Sequence, residues 1–416
     1  MRKPSVLVIF LTVFIDLIGF GIVVPLVPVY SRHFGAHGFI IGVIIASFSA
    51  MQFISSPIWG RLSDRHGRRP ILLISTAGAA ISYVLFAVSS TIQTPSLALW
   101  MLVLSRCLAG ICGGNITVAQ AYMADITPPE KRSRSMGLIG MAFGLGFIFG
   151  PILGGVSLSH WGPAAPGWVA AALCAFNFIL ALIILGESRQ GSSDQAPSRP
   201  HLEQWRHTLT QPRVGLLVVM FFVSTFCFSC FESTLPLVVA DNFNLDIRTN
   251  EAAAAVVVYL FAYCGILGAI VQGGAIGRLV KLWGEPKLIV ISLVLTAVSL
   301  APLTFIKGHS ELSWGVLLRP EGLPWVLLLI CLGALSVGTS LTRPPLFGYL
   351  SNLTPASEQG STIGVAQSAG SLARIVAPVF AMTLLHYTPP LPYLVCSGLL
   401  LGAAAVGLQR LCRPPR

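Results

Sequence analysis

Charge is what this sequence of 416 residues has least of. Asp, Glu, Lys and Arg make up 10% of it, against 54% hydrophobic residues. Soluble domains carry roughly 25% charged residues, so an ordinary water-facing surface is excluded. No Gly-Lys pair occurs anywhere, which excludes a P-loop and an ATP-driven step. Period-two alternation is missing, which argues against a transmembrane barrel. The eight His residues show no ligand spacing, so neither a metal site nor another cofactor is expected. All nine Cys but Cys412 lie in apolar runs and, Cys227-x-x-Cys230 included, read as small buried hydrophobes. No catalytic constellation is present, and an enzyme is not expected.

What the chain does have is apolar runs long enough to cross a ~30 Å hydrocarbon core, which takes about 20 helical residues. Twelve are read, near 5–30, 38–59, 71–90, 97–125, 135–158, 167–186, 213–240, 251–275, 287–306, 324–350, 361–385 and 391–410. Only helices then satisfy the backbone in lipid. The first run is too long for a signal-peptide core, and eleven more follow it. The formal net charge of +11 is explained by position. With the amino terminus inside, 19 of the 26 Lys and Arg fall in cytoplasmic segments, and only Arg32, Arg248, Lys307 and Arg319 fall outside. This bias predicts a multi-pass protein of the cell (inner) membrane with both termini cytoplasmic; its partner is the lipid bilayer rather than nucleic acid.

A polar cassette between spans 2 and 3, Gly60-Arg-Leu-Ser-Asp64-Arg65-His-Gly67-Arg68-Arg69-Pro70, returns weakened 217 residues later as Gly277-Arg-Leu-Val-Lys-Leu-Trp-Gly284. Thr127-Pro128, Gly137 and Pro151 return 227 residues later as Thr354-Pro355, Gly364 and Pro378. A longer external loop near 307–323 accounts for the slip between the two offsets. The repeat predicts an all-α membrane protein of 12 transmembrane helices in two parallel-related six-helix bundles. These are residues 1–186 and 213–416, joined by a cytoplasmic linker at 187–212 with a short amphipathic piece near Leu202–Leu209. A duplicated bundle places a transport site between its halves.

The cassette resembles the signature loop of the major facilitator superfamily. Arg106-x-x-x-Gly110 resembles that superfamily's second motif, and Gly144-Leu-Gly-Phe-Ile-Phe-Gly150-Pro151-Ile-Leu-Gly154-Gly155 is similar to the motif of its antiporters. Asp16-Leu-Ile-Gly19-Phe-Gly21 followed by Pro25 and Pro28 resembles span 1 of the 12-helix drug/proton antiporter family. Ala121-Tyr-Met-Ala-Asp125-Ile-Thr-Pro most resembles its tetracycline/proton antiporter branch. That branch carries an acid within span 3 where Ser82 stands here, which speaks against tetracycline itself as substrate.

The resemblance implies a gating loop of Gly60, Asp64, Arg65, Gly67, Arg68 and Arg69. Asp64 would meet the start of span 11 near Glu358–Thr362, where the helix dipole is positive. Arg65 or Arg68 would pair with Asp125. It also implies a span-5 interface in which Gly146, Gly150, Pro151, Gly154 and Gly155 press against a span of the other half.

Ionisable residues inside spans cost at least ~2.5–3.5 kcal/mol each, so each should face a cavity or a partner. Asp16 lies about 11 residues into span 1, roughly 16 Å deep at 1.5 Å per residue, and is the first candidate for proton coupling; Glu232 is the second. Arg106, Asn115, Gln120 and Arg374 are candidates for the cavity and substrate, with Arg106 expected to balance Asp16. Arg343, Gln52, Asn177, Gln272 and Gln367 are further buried polar positions. The reading is a secondary transporter, monomeric and proton-coupled, that exports small amphipathic compounds. Two alternatives are a facilitator or uptake carrier for a metabolite such as an organic anion, held by Arg106 or Arg374, and a non-transporting solute receptor.

Overall fold

The computed structural model describes residues 4–36, 38–189, 201–245, 251–308 and 322–412. Linker positions 190–200, loop positions 309–321 and the basic residues Arg2, Lys3, Arg199, Arg248, Arg319, Arg413 and Arg416 lie outside them, as does the side chain of Arg32. The described residues form helices and no strands.

Span 1 runs Val6–Val23 and, past Pro25, Leu26–His33. Span 2 is Gly38–His66, span 3 Arg68–Ser89, and span 4 Pro95–Cys112 plus Asn115–Ile126. Span 5 is Arg132–Trp161 and span 6 Ala165–Ile184. A linker helix, His201–Thr210, leads into span 7, Pro212–Phe243. Span 8 joins Glu251–Ile270 to Ile276–Trp283 through a π-turn at Val271–Ala275. Span 9 is Glu285–Leu300, span 10 Leu323–Leu353, span 11 Gln359–Tyr387 and span 12 Leu391–Arg410. Proline in the first turn starts spans 4, 6, 7, 9, 10 and 12, where its missing N–H leaves no helical bond unmade.

Length and hydropathy alone mark eleven apolar stretches, one of them the 46 residues Tyr259–Thr304. That stretch is two crossings, since at 1.5 Å per residue it measures ~69 Å against a ~30 Å core. The chain turns at Gly284, whose φ of +73° favours glycine. Spans 8 and 9 are thereby separated, and the described residues make twelve crossings.

Polarity is distributed as in a membrane protein. Large apolar side chains such as Trp100, Phe176, Val298 and Leu408 face outward, while Thr12, Asn115, Asn177, Gln120 and Gln367 are buried. Interhelical hydrogen bonds tie interior amides across spans, as when Asn177 Nδ2 donates to the Thr12 carbonyl at 2.8 Å. Two seams cross between the first six spans and the last six, one between spans 2 and 11 and the other between spans 5 and 8. The side of the membrane carrying both chain ends is here termed the near side, the opposite one the far side.

Candidate functional site: a sealed cleft between repeated halves

At the near end of the span 2–span 11 seam, Asp64 and Arg68 are fully buried. Asp64 accepts the backbone N–H of Gly360 at 3.0 Å and of Ser361 at 2.8 Å, the first residues of span 11. Arg68 donates to Asp64 at 2.7 Å, to Ser63 at 2.6 Å and, through Nε, to Asp125 at 2.9 Å. One guanidinium therefore ties two carboxylates, and one carboxylate caps a helix of the opposite half. Gly60 and Gly360 make the approach possible: a Cβ on Gly360 would stand 2.5 Å from the Gly60 carbonyl oxygen. Of the two arginines proposed for Asp125, Arg68 makes the pair. Arg65 is exposed at the last turn of span 2, whereas Arg68 lies beyond the Gly67 turn, in the buried first turn of span 3. Arg69 instead donates to the Leu182 carbonyl at 3.0 Å.

Glu187, which the sequence reading placed at the head of a linker, belongs to this assembly. Its carboxylate accepts the N–H of Arg68 at 2.9 Å and of Arg69 at 3.1 Å, capping span 3. Gly67 takes φ +94° there, and a Cβ on it would meet the Glu187 carboxylate at 2.6 Å. No sequence signal short of the fold identifies this cap, which is 119 residues from the N–H it holds.

The second seam has the same geometry with different charges. The 217-residue offset carries Arg68 onto Glu285, and the 227-residue offset carries Asp125 onto Asn352. Glu285 accepts from the Ser133 hydroxyl at 2.5 Å and from Asn352 at 3.4 Å. Arg132 donates to the Ser351 carbonyl at 3.1 Å and to Asn352 at 3.0 Å. Where the first seam has an arginine between two acids, the second has one acid between neutral donors. Both repeat glycines pack alike: Gly137 lies against the Gln272 carbonyl of span 8, and Gly364 against Ser56 and Pro57 of span 2.

The span-5 motif requires a correction. Gly146, Gly150 and Gly154 do not press on the other half. They pack against Leu17, Gly21 and Ile22 of span 1, in the same half. The other half is met by Gly137, Gly140 and Gly144, against Gln272, Gly265 and Ala269. The two sets lie on different faces of one helix, since a four-residue step keeps 146, 150 and 154 in register. Pro151 is half-buried, and a Cβ on Gly155 would meet nothing within 4 Å.

Deeper in the membrane, Asp16 accepts from Asn115 at 2.6 Å, from Asn177 at 3.4 Å and from the Cys174 thiol at 3.6 Å. All three donors are neutral. Arg106 does not balance Asp16: it is fully buried, its Cζ 5.6 Å from the Phe86 ring centroid, with Nε and Nη2 lacking a partner. The reason is depth, because Asn115 reaches Asp16 from the same span nine residues away, ~14 Å along the axis. The Ser82 hydroxyl bonds its own helix at the Ala79 carbonyl and supplies no charge.

Across the cleft, Arg374 donates to Gln52 at 2.7 Å and to Ser371 at 3.1 Å. Arg343 donates to Gln367 at 3.3 Å, and Gln367 donates to Gln120 of the other half at 2.8 Å. Glu232 is exposed on an otherwise buried stretch of span 7 and feels the Arg374 charge without touching it. The cross-half bonds named here lie between the near surface and mid-depth. The cleft is sealed on the near side.

The sequence matches the Major Facilitator Superfamily profile over residues 9–378 and 274–416. It is 31% identical to the class H tetracycline resistance protein of Pasteurella multocida over 396 residues, 93% of this chain and 90% of the relative. It is 32% identical to the class E protein of Escherichia coli over 385 residues, 91% and 87% of the two chains. The quinolone resistance protein NorA of Staphylococcus aureus is 25% identical over 413 residues, 98% of this chain and 96% of that one. Among solved structures, the human organic anion transporter MFSD10 superposes with TM-score 0.77 at 24% identity, covering 97% of this chain and 100% of that chain. A bacterial homologue of the iron transporter ferroportin, in an outward-facing state, gives 0.77 at 15% identity over 99% and 100%.

Proposed function

We infer the function from one premise: this chain belongs to the Major Facilitator Superfamily. It is a multi-pass membrane transporter and not an enzyme. We propose that it is a proton-coupled exporter of small amphipathic compounds, drugs among them, with two six-span halves, 1–186 and 213–416, rocking about the cleft. In this reading the near side is cytoplasmic, the Asp64–Arg68–Asp125 cluster holds it shut, and the described arrangement is the outward-facing one. The protein works as a monomer. Span 8's π-turn, set against Gly137 and Gly140, supplies a place where the second seam can bend.

The observation that carries the reading is Asp16. An ionisable side chain inside a membrane marks a transport or proton path by default. Asp16 is held by neutral donors, so it can gain or lose a proton without breaking an ion pair. Protonated, it lets the halves close over a neutral site; deprotonated, it exposes a charge that favours the hydrated, open cleft. Export powered by a proton gradient needs such a group, since the chain has no nucleotide-binding loop.

The test is growth inhibition by a panel of quinolones, tetracyclines and lipophilic dyes, in cells expressing the wild-type chain or Asp16→Asn at equal membrane levels. Wild type is expected to raise resistance to at least one amphipathic compound and Asp16→Asn to none. Equal protection by both would remove Asp16 from the mechanism.

A further inference from the structure

The interior of the second half holds more positive charge than its own acids can neutralise. Arg343 reaches Gln367, two helical turns below Arg374 on span 11, so two like charges share one wall. Neither forms an ion pair among the described residues, and Glu232 is the one carboxylate that Arg374 feels. Counting helical rise from the near end of each span, Arg343 lies ~15 Å deep, Arg374 ~22 Å and Glu232 ~30 Å. They form a ladder up one wall of the cleft.

Each guanidinium spends a single nitrogen on the protein. Arg374 uses Nη2 for Gln52 and Ser371, and Arg343 uses Nη2 for Gln367. A guanidinium has five N–H donors in a planar fork that matches a carboxylate. The remaining nitrogens of these two make no hydrogen bond among the described residues and are not sealed off, unlike Nε and Nη2 of Arg106. Arg343 is steadied by the faces of Phe143, Phe221 and Phe347, at 4.9, 5.5 and 6.0 Å. These two are held in place with their forks unused.

Resting on the exporter reading above, we propose that the transported compound is an amphipathic organic anion whose carboxylate or sulfonate is bound between Arg374 and Arg343, its apolar body lying along the phenylalanine-lined wall. The anion takes the place of Glu232 as counter-charge. Its binding draws Arg374 from Gln52 and Arg343 from Gln367, which are links in the two hydrogen-bond chains that tie the halves together at mid-depth. Loading therefore belongs to the near-open state, in which these bonds are broken, and departure of the anion to the far side lets them form and hold the near side shut.

The test compares three probes with one ring system, 2-naphthoate, 2-naphthamide and 2-naphthylmethylamine, by calorimetric titration of the full-length chain in nanodiscs. The naphthoate is expected to bind at least about tenfold tighter than the amide, the advantage of one charge-assisted hydrogen bond. Arg374→Gln should erase that preference, Arg374→Lys should restore most of it, and Glu232→Gln should strengthen naphthoate binding. Equal affinities for acid and amide, or tighter binding of the amine, would overturn the proposal, and this comparison needs no variant to fold. Proton movement on adding each probe to proteoliposomes separates the two readings. Proton-coupled transport of the amide as fast as the acid overturns the anion site alone. Tight naphthoate binding without proton movement overturns the coupling alone.

Discussion

Asp64→Asn is the sharpest perturbation of the near-side seal. In the native protein each Asp64 oxygen accepts one N–H from the start of span 11, and Oδ1 also accepts from Arg68. The asparagine keeps one acceptor and turns an NH₂ toward a backbone donor. It also leaves Arg68 with Asp125 as its only carboxylate. Removing one member of a buried pair costs about 3–5 kcal/mol when the other charge is stranded. Here Asp125 retains part of the Arg68 charge, so the loss falls nearer that of the charge-assisted bonds, about 1.5–3 kcal/mol. At 1.4 kcal/mol per decade this shifts the closed-to-open equilibrium of the near side by roughly 10- to 100-fold. Hydrogen exchange of the peptide covering 356–366 reads this directly, because the Gly360 and Ser361 amides are protected by Asp64. Exchange at these two amides should accelerate by that factor while spans 3 and 6 keep their protection. An unchanged rate would refute the assignment of Asp64 as the element holding this end shut.

Glu285→Gln, at the corresponding place of the second seam, should accelerate exchange around Ser133 by less than tenfold, since its hydrogen bonds run to neutral groups, each worth about 1 kcal/mol, and Arg132 keeps its own bonds to Ser351 and Asn352. A larger effect than that of Asp64→Asn would contradict the asymmetry between the seams. Gly364→Ala places a Cβ 2.7 Å from Pro57 Cα and should lower transport at least tenfold, whereas Gly155→Ala meets no atom within 4 Å and should leave it unchanged; equal behaviour of the two in a dye-efflux assay would deny that close approach at the first seam matters. Glu187→Ala removes the cap from two backbone donors of span 3 and should cost about 0.5–2 kcal/mol, seen as a lower Tm in a thermal-shift assay.

The spans were legible because burial in lipid leaves a simple trace, a run of apolar residues of crossing length. The two offsets, 217 and 227, were legible as well, and they carry further than motif comparison alone. Applied to Arg68 and Asp125 they land on Glu285 and Asn352, where the contact geometry persists although the charges have changed. What the sequence hides is direction around and along a helix. Glycine spacing announces a close approach but not the partner, so Gly146, Gly150 and Gly154 were assigned to the wrong half. Arg106 and Asp16 suit each other by charge, yet Asn115, nine residues from Arg106 on its own span, is the one at Asp16's depth. Glu187 stands at the edge of a polar linker and looks solvated until span 3 is seen to begin beside it. The Arg374–Gln52 and Gln367–Gln120 contacts join residues 322 and 247 positions apart and have no local signature.

The central claim is that proton movement and substrate movement run through one cleft. Its most direct measurement is the luminal pH of acid-loaded proteoliposomes containing the purified chain, followed with an entrapped pH-sensitive dye while a transported compound is added outside. Wild type should alkalinise the lumen at a rate that saturates with the compound, and Asp16→Asn should give no response. A compound that crosses at the same speed with and without the gradient, leaving luminal pH unmoved, would contradict the account.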